Sequence, residues 1–327
     1  MKKYLVFFMS MVIALMFVAC GENKGTTTKD NKNAVSTPGA EANATTPPID
    51  ESKATKIVFS NNGVTSDNEN VEVNGNIITI KSEGTFEISG ECSNGQIIVD
   101  ALDANIYFVF NGITLHCQDS APINVVNANN VYISLADNSV NTFTDGDTYK
   151  LEAGTNEPDS AIFCKGDLNI SGNGTLNVTS LYNDAIASRD KLVIEGGRIV
   201  VNGKNHGIKG KDLLSIIGGN ISVFAGGDGI KSTNDIDTSK GYVSISGGKI
   251  QIDAQDEAIS AVTYVNISGG EININTANNA IKANSVVDIS AGIVNIKTED
   301  KDLVCVERKI SSKADVQVNG VKIASNY

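Results

Sequence analysis

Ala185-Ile186-Ala187-Ser188-Arg189-Asp190-Lys191-Leu192-Val193-Ile194-Glu195-Gly196-Gly197-Arg198-Ile199-Val200-Val201 holds, within one unit, the pattern that organises most of the chain. Leu192 and Ile194 alternate with other residues before a Gly-Gly pair, and Ile199 and Val201 do so after it. Alternation of branched apolar residues marks short strands with one buried face. The paired glycines allow a backbone bend that side chains would obstruct. Gly218-Gly219, Gly247-Gly248 and Gly269-Gly270 repeat the turn. A small residue followed by Ile opens each unit: Ala161-Ile162, Ala185-Ile186, Gly207-Ile208, Gly229-Ile230, Ala258-Ile259 and Ala280-Ile281 recur at steps of 24, 22, 22, 29 and 22 residues.

Three short strands per repeat of about 22 residues predict an all-β solenoid, a right-handed single-stranded parallel β-helix. A barrel or propeller would need longer blades, and a leucine-rich repeat would show its Leu and Asn frame. Fainter units through Ile123 and Ile97 place the first coil near Ile78 and the last near Ile296. The β-helix domain is assigned to residues 55–300, and residues 301–327 are expected to cap its open end, where bare strand edges invite aggregation.

The chain opens as a targeting signal over residues 1–19: Lys2 and Lys3 precede an apolar run from Tyr4 to Val18 that is short for a bilayer span. Met16-Phe17-Val18-Ala19-Cys20 resembles a bacterial lipobox with Phe17 in place of Leu, which implies acylation of Cys20 and a membrane-anchored, extracytoplasmic protein. Residues 20–54 hold few large apolar side chains and are expected to be a flexible tether, with an average reach of roughly 30 Å. The net charge is −12, and loss of Lys2 and Lys3 with no acid takes it to −14. Such a surface repels nucleic acid, but it can hold an acidic polymer where divalent cations bridge the two.

Subtracting repeats stacks side chains into columns. The two positions before each small-Ile pair read Asp159-Ser160, Asn183-Asp184, Asn205-His206, Gly227-Asp228, Asp256-Glu257 and Asn278-Asn279. Carboxylates repeated at about 5 Å repel unless a cation lies between them, and hard oxygen donors suit Ca²⁺. Asp184, Asp228, Asp256 and Glu257 are therefore candidate calcium ligands, joined by Asp235 and Asp237 from the longer unit. The other reading is that Asn and Asp occupy these corners because they tolerate turn conformations and stack as ladders. One residue past the Ile, alternation points Phe163, Ala187, Lys209, Lys231, Ser260 and Lys282 outward. Lys209, Lys231 and Lys282 are candidates for a carboxylated sugar, with salt bridges to neighbouring acids as the competing explanation.

The chain has no Trp, so flat aromatic platforms for neutral sugars are not expected, and Tyr182 and His206 beside the oxygen column are the remaining sugar-contact candidates. The acidic insertion from Asp137 to Asp159 reads either as a second acidic site or as a solvated loop. Cys92 and Cys117 lie 25 residues apart, which fits either a disulfide between coils or two buried thiols. No serine elbow, phosphate loop or HExxH helix is present. A polysaccharide lyase would need only a base, for which Lys231 is the candidate, with Ca²⁺ on the uronate carboxylate. A structural or adhesive solenoid binding a protein or cell wall is the third class.

Gly226-Gly227-Asp228-Gly229-Ile230-Lys231-Ser232 and the following Asn234-Asp235-Ile236-Asp237-Thr238-Ser239-Lys240-Gly241-Tyr242 resemble the bacterial carbohydrate-binding β-helix lipoprotein family, as do Gly95-Gln96-Ile97-Ile98-Val99-Asp100 and Asn111-Gly112-Ile113. The likeness runs from about Lys56 to Thr298. It implies a calcium-containing β-helix that binds polygalacturonate-like acidic polysaccharide and also cellulose, shaped like the calcium-dependent pectate lyases but without established catalysis. His206 and Asn279 stand where the family commonly shows Asp, and Ser260 where it shows Lys or Arg.

Overall fold

A computed structural model describes residues 46–68 and 71–327. The expected signal peptide, Cys20 and most of the tether lie outside the described residues. The rest is a parallel β-solenoid of about 11 turns with roughly 23 residues per coil. Among the described residues the one helical turn is Glu51–Lys53.

Each coil contributes one strand to each of three rows. The first row holds Ile123–Asn127, Ser160–Cys164, Asp184–Ser188, Ile208–Gly210, Ile230–Ser232, Ile259–Ala261, Ile281–Ala283 and Leu303–Val304. Its register places Ile186, Ile208, Ile230, Ile259 and Ile281 directly above one another. The second row includes Lys191–Ile194, Leu213–Ile216 and Tyr242–Ile245, and the third includes Arg198–Gly203, Asn220–Ala225 and Lys249–Ala254. The 29-residue step is absorbed by one loop, because Leu213 pairs with Tyr242 and the third row resumes in step. In the early coils, Asn105–Cys117 runs without a break from the second row into the third, turning at Gly112 with φ +82°.

The apolar face of every strand points into one continuous core, where Ile186, Ile194, Ile199 and their counterparts are fully buried. Each such side chain contributes on the order of 1.5–3 kcal/mol, but only when coils above and below cover it. Phe86, Phe108, Phe110 and Phe143 fill the wider early coils, with neighbouring rings 5.1 to 6.2 Å apart.

The Gly-Gly turns have two separate causes. A Cβ on Gly218 would fall 2.6 Å from the Glu195 carbonyl oxygen of the coil below, while Gly219 takes φ +97°, a left-handed conformation that other residues rarely adopt.

The solenoid is longer than the small-Ile signature suggests. Thr55–Ser60 already pairs in parallel with Gly84–Cys92, before Ile78. At the other end, Leu303 stacks on Ile281, and Glu307–Ile310 and Ala314–Val318 extend the second and third rows. The stretch expected to be only a cap is thus a further coil, closed by Val321–Lys322 folding back antiparallel on Gln317–Val318. The described cysteines are free thiols: in the early coils the register sets Cys92 opposite Leu115, two residues short of Cys117, so the two sulfurs are not paired.

Candidate functional site

The oxygen column stands where the third row turns into the first, and backbone amides thread it. Asp184 Oδ1 accepts the His206 N–H at 3.1 Å, His206 Nδ1 accepts the Asp228 N–H at 3.0 Å, and Asp228 Oδ1 accepts the Glu257 N–H at 3.1 Å. Each polar side chain therefore caps the next coil, which explains why a residue with an acceptor recurs there. Amides extend the ladder: Asn205 donates to Asn183 at 3.0 Å and Asn278 to Asp256 at 2.6 Å. The calcium and ladder readings are not exclusive, since one carboxylate oxygen serves the ladder and leaves the second to face other groups.

Those second oxygens fall into two clusters of different character. In the earlier one, Lys209 Nζ lies between Asp184 and Asp159, at 3.2 Å from the latter. Arg189 reaches Asp159 at 2.8 Å and Glu157 at 2.7 Å, and Lys165 reaches Glu157 at 3.3 Å. Three carboxylates face three cations, so charge in this cluster is balanced without a further ion, although Asp159 Oδ1 is buried without a hydrogen-bond partner.

The later cluster is not balanced. Asp228, Asp256 and Glu257 present oxygens within 4.8 Å of one another. Two ammonium groups accompany them: Lys231 at 2.6 Å from Asp228 Oδ2 and Lys282 at 2.7 Å from Glu257. Asp228 Oδ2 is sealed from solvent and has no directed hydrogen bond beyond that ion pair. An excess carboxylate and an under-coordinated buried oxygen fit a divalent cation with oxygen ligands. The hydrogen bond that Lys282 donates to Glu257, chiefly, holds the Lys282 ammonium above its ordinary pKa. Burial lowers the His206 pKa, in keeping with an unprotonated Nδ1 that accepts a hydrogen bond.

The structure thus brings Asp228, Asp256, Glu257, Lys231 and Lys282 together. It places Asp184 and Lys209 in the balanced cluster instead. Lys209, expected to face outward and bind sugar, is only 8% exposed, because the insertion before Ser160 lies over its coil. Asp235 and Asp237 do not join the cluster: they occupy the exposed loop after Ser232, at the far end of the strand from Asp228, and Asp237 is engaged by Ser239. Tyr182 has one ring face covered by Tyr149, whose centroid is 4.0 Å away.

The insertion is neither a plain solvated loop nor a second open acidic site. Asp145 is fully buried and accepts from Tyr149 Oη at 2.7 Å and Ser180 Oγ at 2.6 Å. Arg189 and Glu157 were missed by reasoning from columns, because their partners are set by the path of an irregular loop. The one available sign was the charge of that loop.

Comparison with known proteins places the chain in a family. Residues 74–326 match a family described as carbohydrate-binding domain-containing protein. A carbohydrate-binding domain-containing protein of Acetivibrio thermocellus is 36% identical over 149 residues, a match spanning 45% of this chain and 52% of that relative's length. A solved structure, a polysaccharide lyase-like protein from C. thermocellum in its gadolinium derivative, superposes with a TM-score of 0.67 at 34% identity, covering 81% of this chain and 100% of that one. The match runs from the first coils to the closing hairpin, and the chain belongs to the family of carbohydrate-binding domain-containing proteins.

Proposed function

We propose that this protein is a surface-tethered lipoprotein that binds uronate-rich polysaccharide, with calcium, on the ridge around Asp228. The observation that carries the reading is the imbalance there, three converging carboxylates against two ammonium groups. Asp228, Asp256 and Glu257 would hold the ion, which supplies positive charge and free coordination positions for sugar carboxylates. With those acids so occupied, Lys231 and Lys282 are released toward solvent, where each can donate to a uronate group. Their side chains are 27% and 43% exposed, so neither needs a rearranged backbone to do so.

Membrane attachment through Cys20 on the extracytoplasmic face completes the proposal and rests on the lipobox alone. Cellulose as a further partner rests on the family resemblance. Binding is favoured over elimination of the polymer because a lyase needs a base free to take a proton, whereas the candidate Lys231 is ion-paired with Asp228 at 2.6 Å, Lys282 donates to Glu257, and His206 Nδ1 is occupied by the Asp228 N–H.

Affinity electrophoresis through polygalacturonate tests this. Retardation is expected in calcium and is expected to be lost in EDTA. Asp228→Asn is expected to weaken the calcium requirement's midpoint at least about tenfold. Retention unaffected by chelator and by Asp228→Asn would remove the proposal, and unsaturated product absorbing in the ultraviolet would replace binding with lyase activity.

A further inference from the structure

Along the outer face of the first row, exposure rises in one direction. Phe163 and Ala187 are 1% and 0% exposed, and the Lys209, Lys231 and Lys282 side chains are 10%, 27% and 43% exposed. These positions are stacked in register, so strand geometry does not explain the gradient.

The cause is the insertion of residues 146–159. It leaves the third row at Asp145, anchored by Tyr149, and returns at Ser160 with Glu157 and Asp159 laid over the first row. Arg189 closes the gap, its guanidinium 5.2 Å above the Phe163 ring and bonded to both acids. The small cavity under the loop, about 240 Å³, lies over Phe163 and Lys165 and does not continue to Lys231. The ridge is thus walled on the Lys209 side and open toward Val304.

We infer that this insertion is a stop that fixes one end of the binding face, so that the ligand is held by a chain terminus and by few sugar units. The inference rests on the ridge reading given above. From Lys231 to Val304 the register counts three coil steps. At about 4.8 Å per step this is roughly 14 Å, the length of about three pyranose rings end to end. A chain lying along the axis cannot pass the Arg189–Asp159 wall, whose groups have no charge left over for it, and beyond Val304 the described residues offer no further first-row strand.

Calorimetric titration of the full chain with galacturonate oligomers of two to eight units, in calcium, tests the stop. Affinity is expected to rise up to about four units and then to change by less than about twofold. Replacing residues 147–159 by Gly-Ser-Gly, which removes Glu157 and Asp159 and so frees Arg189 and Lys165 for uronate groups, is expected to make the octamer bind about tenfold better than the tetramer. Glu157→Gln with Asp159→Asn, which keeps the loop's length and frees Arg189 and Lys165 for uronate groups, is expected to shift the plateau in the same direction should the shortened loop prevent folding. Affinity that keeps climbing with length in the unaltered protein overturns the stop while leaving the ridge reading in place. Absence of binding at every length overturns both.

Discussion

Lys231 Nζ lies 2.6 Å from Asp228 Oδ2, an oxygen with no solvent contact, so within one coil a flexible cation is paired with a rigid buried anion. The backbone fixes Asp228, since its other oxygen takes the Glu257 N–H. Lys231 can leave; Asp228 cannot follow.

That asymmetry predicts the behaviour of Lys231→Ala. Without calcium the variant strands a buried acceptor, a loss of about 1–3 kcal/mol. Urea unfolding in EDTA is expected to show this deficit, and millimolar calcium is expected to restore most of it, because a bound ion takes over the role of the ammonium. An equal deficit with and without calcium would count against a cation at Asp228.

Gly229→Ala tests the packing behind the ridge. A Cβ there would lie 2.3 Å from Ile252 Cγ2 and 2.7 Å from the Ala258 carbonyl oxygen, although Ala258 itself carries one in the same row. The expected cost is about 1–3 kcal/mol from overpacking, read as a lower midpoint of thermal unfolding. A neutral outcome would mean that the coils are looser at this corner than their register implies.

Asp145 gives a pH signature. Burial, outweighing the opposing hydrogen bonds that Asp145 accepts from Ser180 and Tyr149, raises its pKa from the ordinary 3.8. The native chain therefore holds a proton that the unfolded chain releases as pH climbs above that value. Its favourable contribution is complete below the unfolded pKa and is lost as pH rises through the native one. Asp145→Asn keeps the site neutral and is expected to flatten the decline in melting temperature above pH 4. An unchanged profile would place the titration elsewhere.

How much of this was legible from sequence depended on periodicity. The stacked Ile186, Ile208, Ile230, Ile259 and Ile281 follow from spacing alone, because a solenoid turns distance along the chain into position along an axis. The final coil escaped because Asp302-Leu303 replaces the small-Ile pair, though Leu303 fills the same interior place. At the site, columns brought Asp228, Asp256 and Glu257 together correctly, since all three precede first-row strands. Asp235 and Asp237 were misplaced because sequence proximity to Asp228 hid the intervening strand, which carries the chain to the opposite corner. Lys209 was misjudged for a related reason: alternation gives the direction of a side chain, whereas burial depends on what a distant insertion lays across it.

The unbroken strand Asn105–Cys117 joins two walls of the early coils, while the later coils hold theirs through separate short ladders ending in the two-residue Leu303–Val304. Loosening of the molecule therefore has a polarity. Fraying is expected to start at the far end and advance toward the ridge, leaving the laced early coils seated, so loss of sugar capture would be an early casualty of strain and collapse of the whole body a late one.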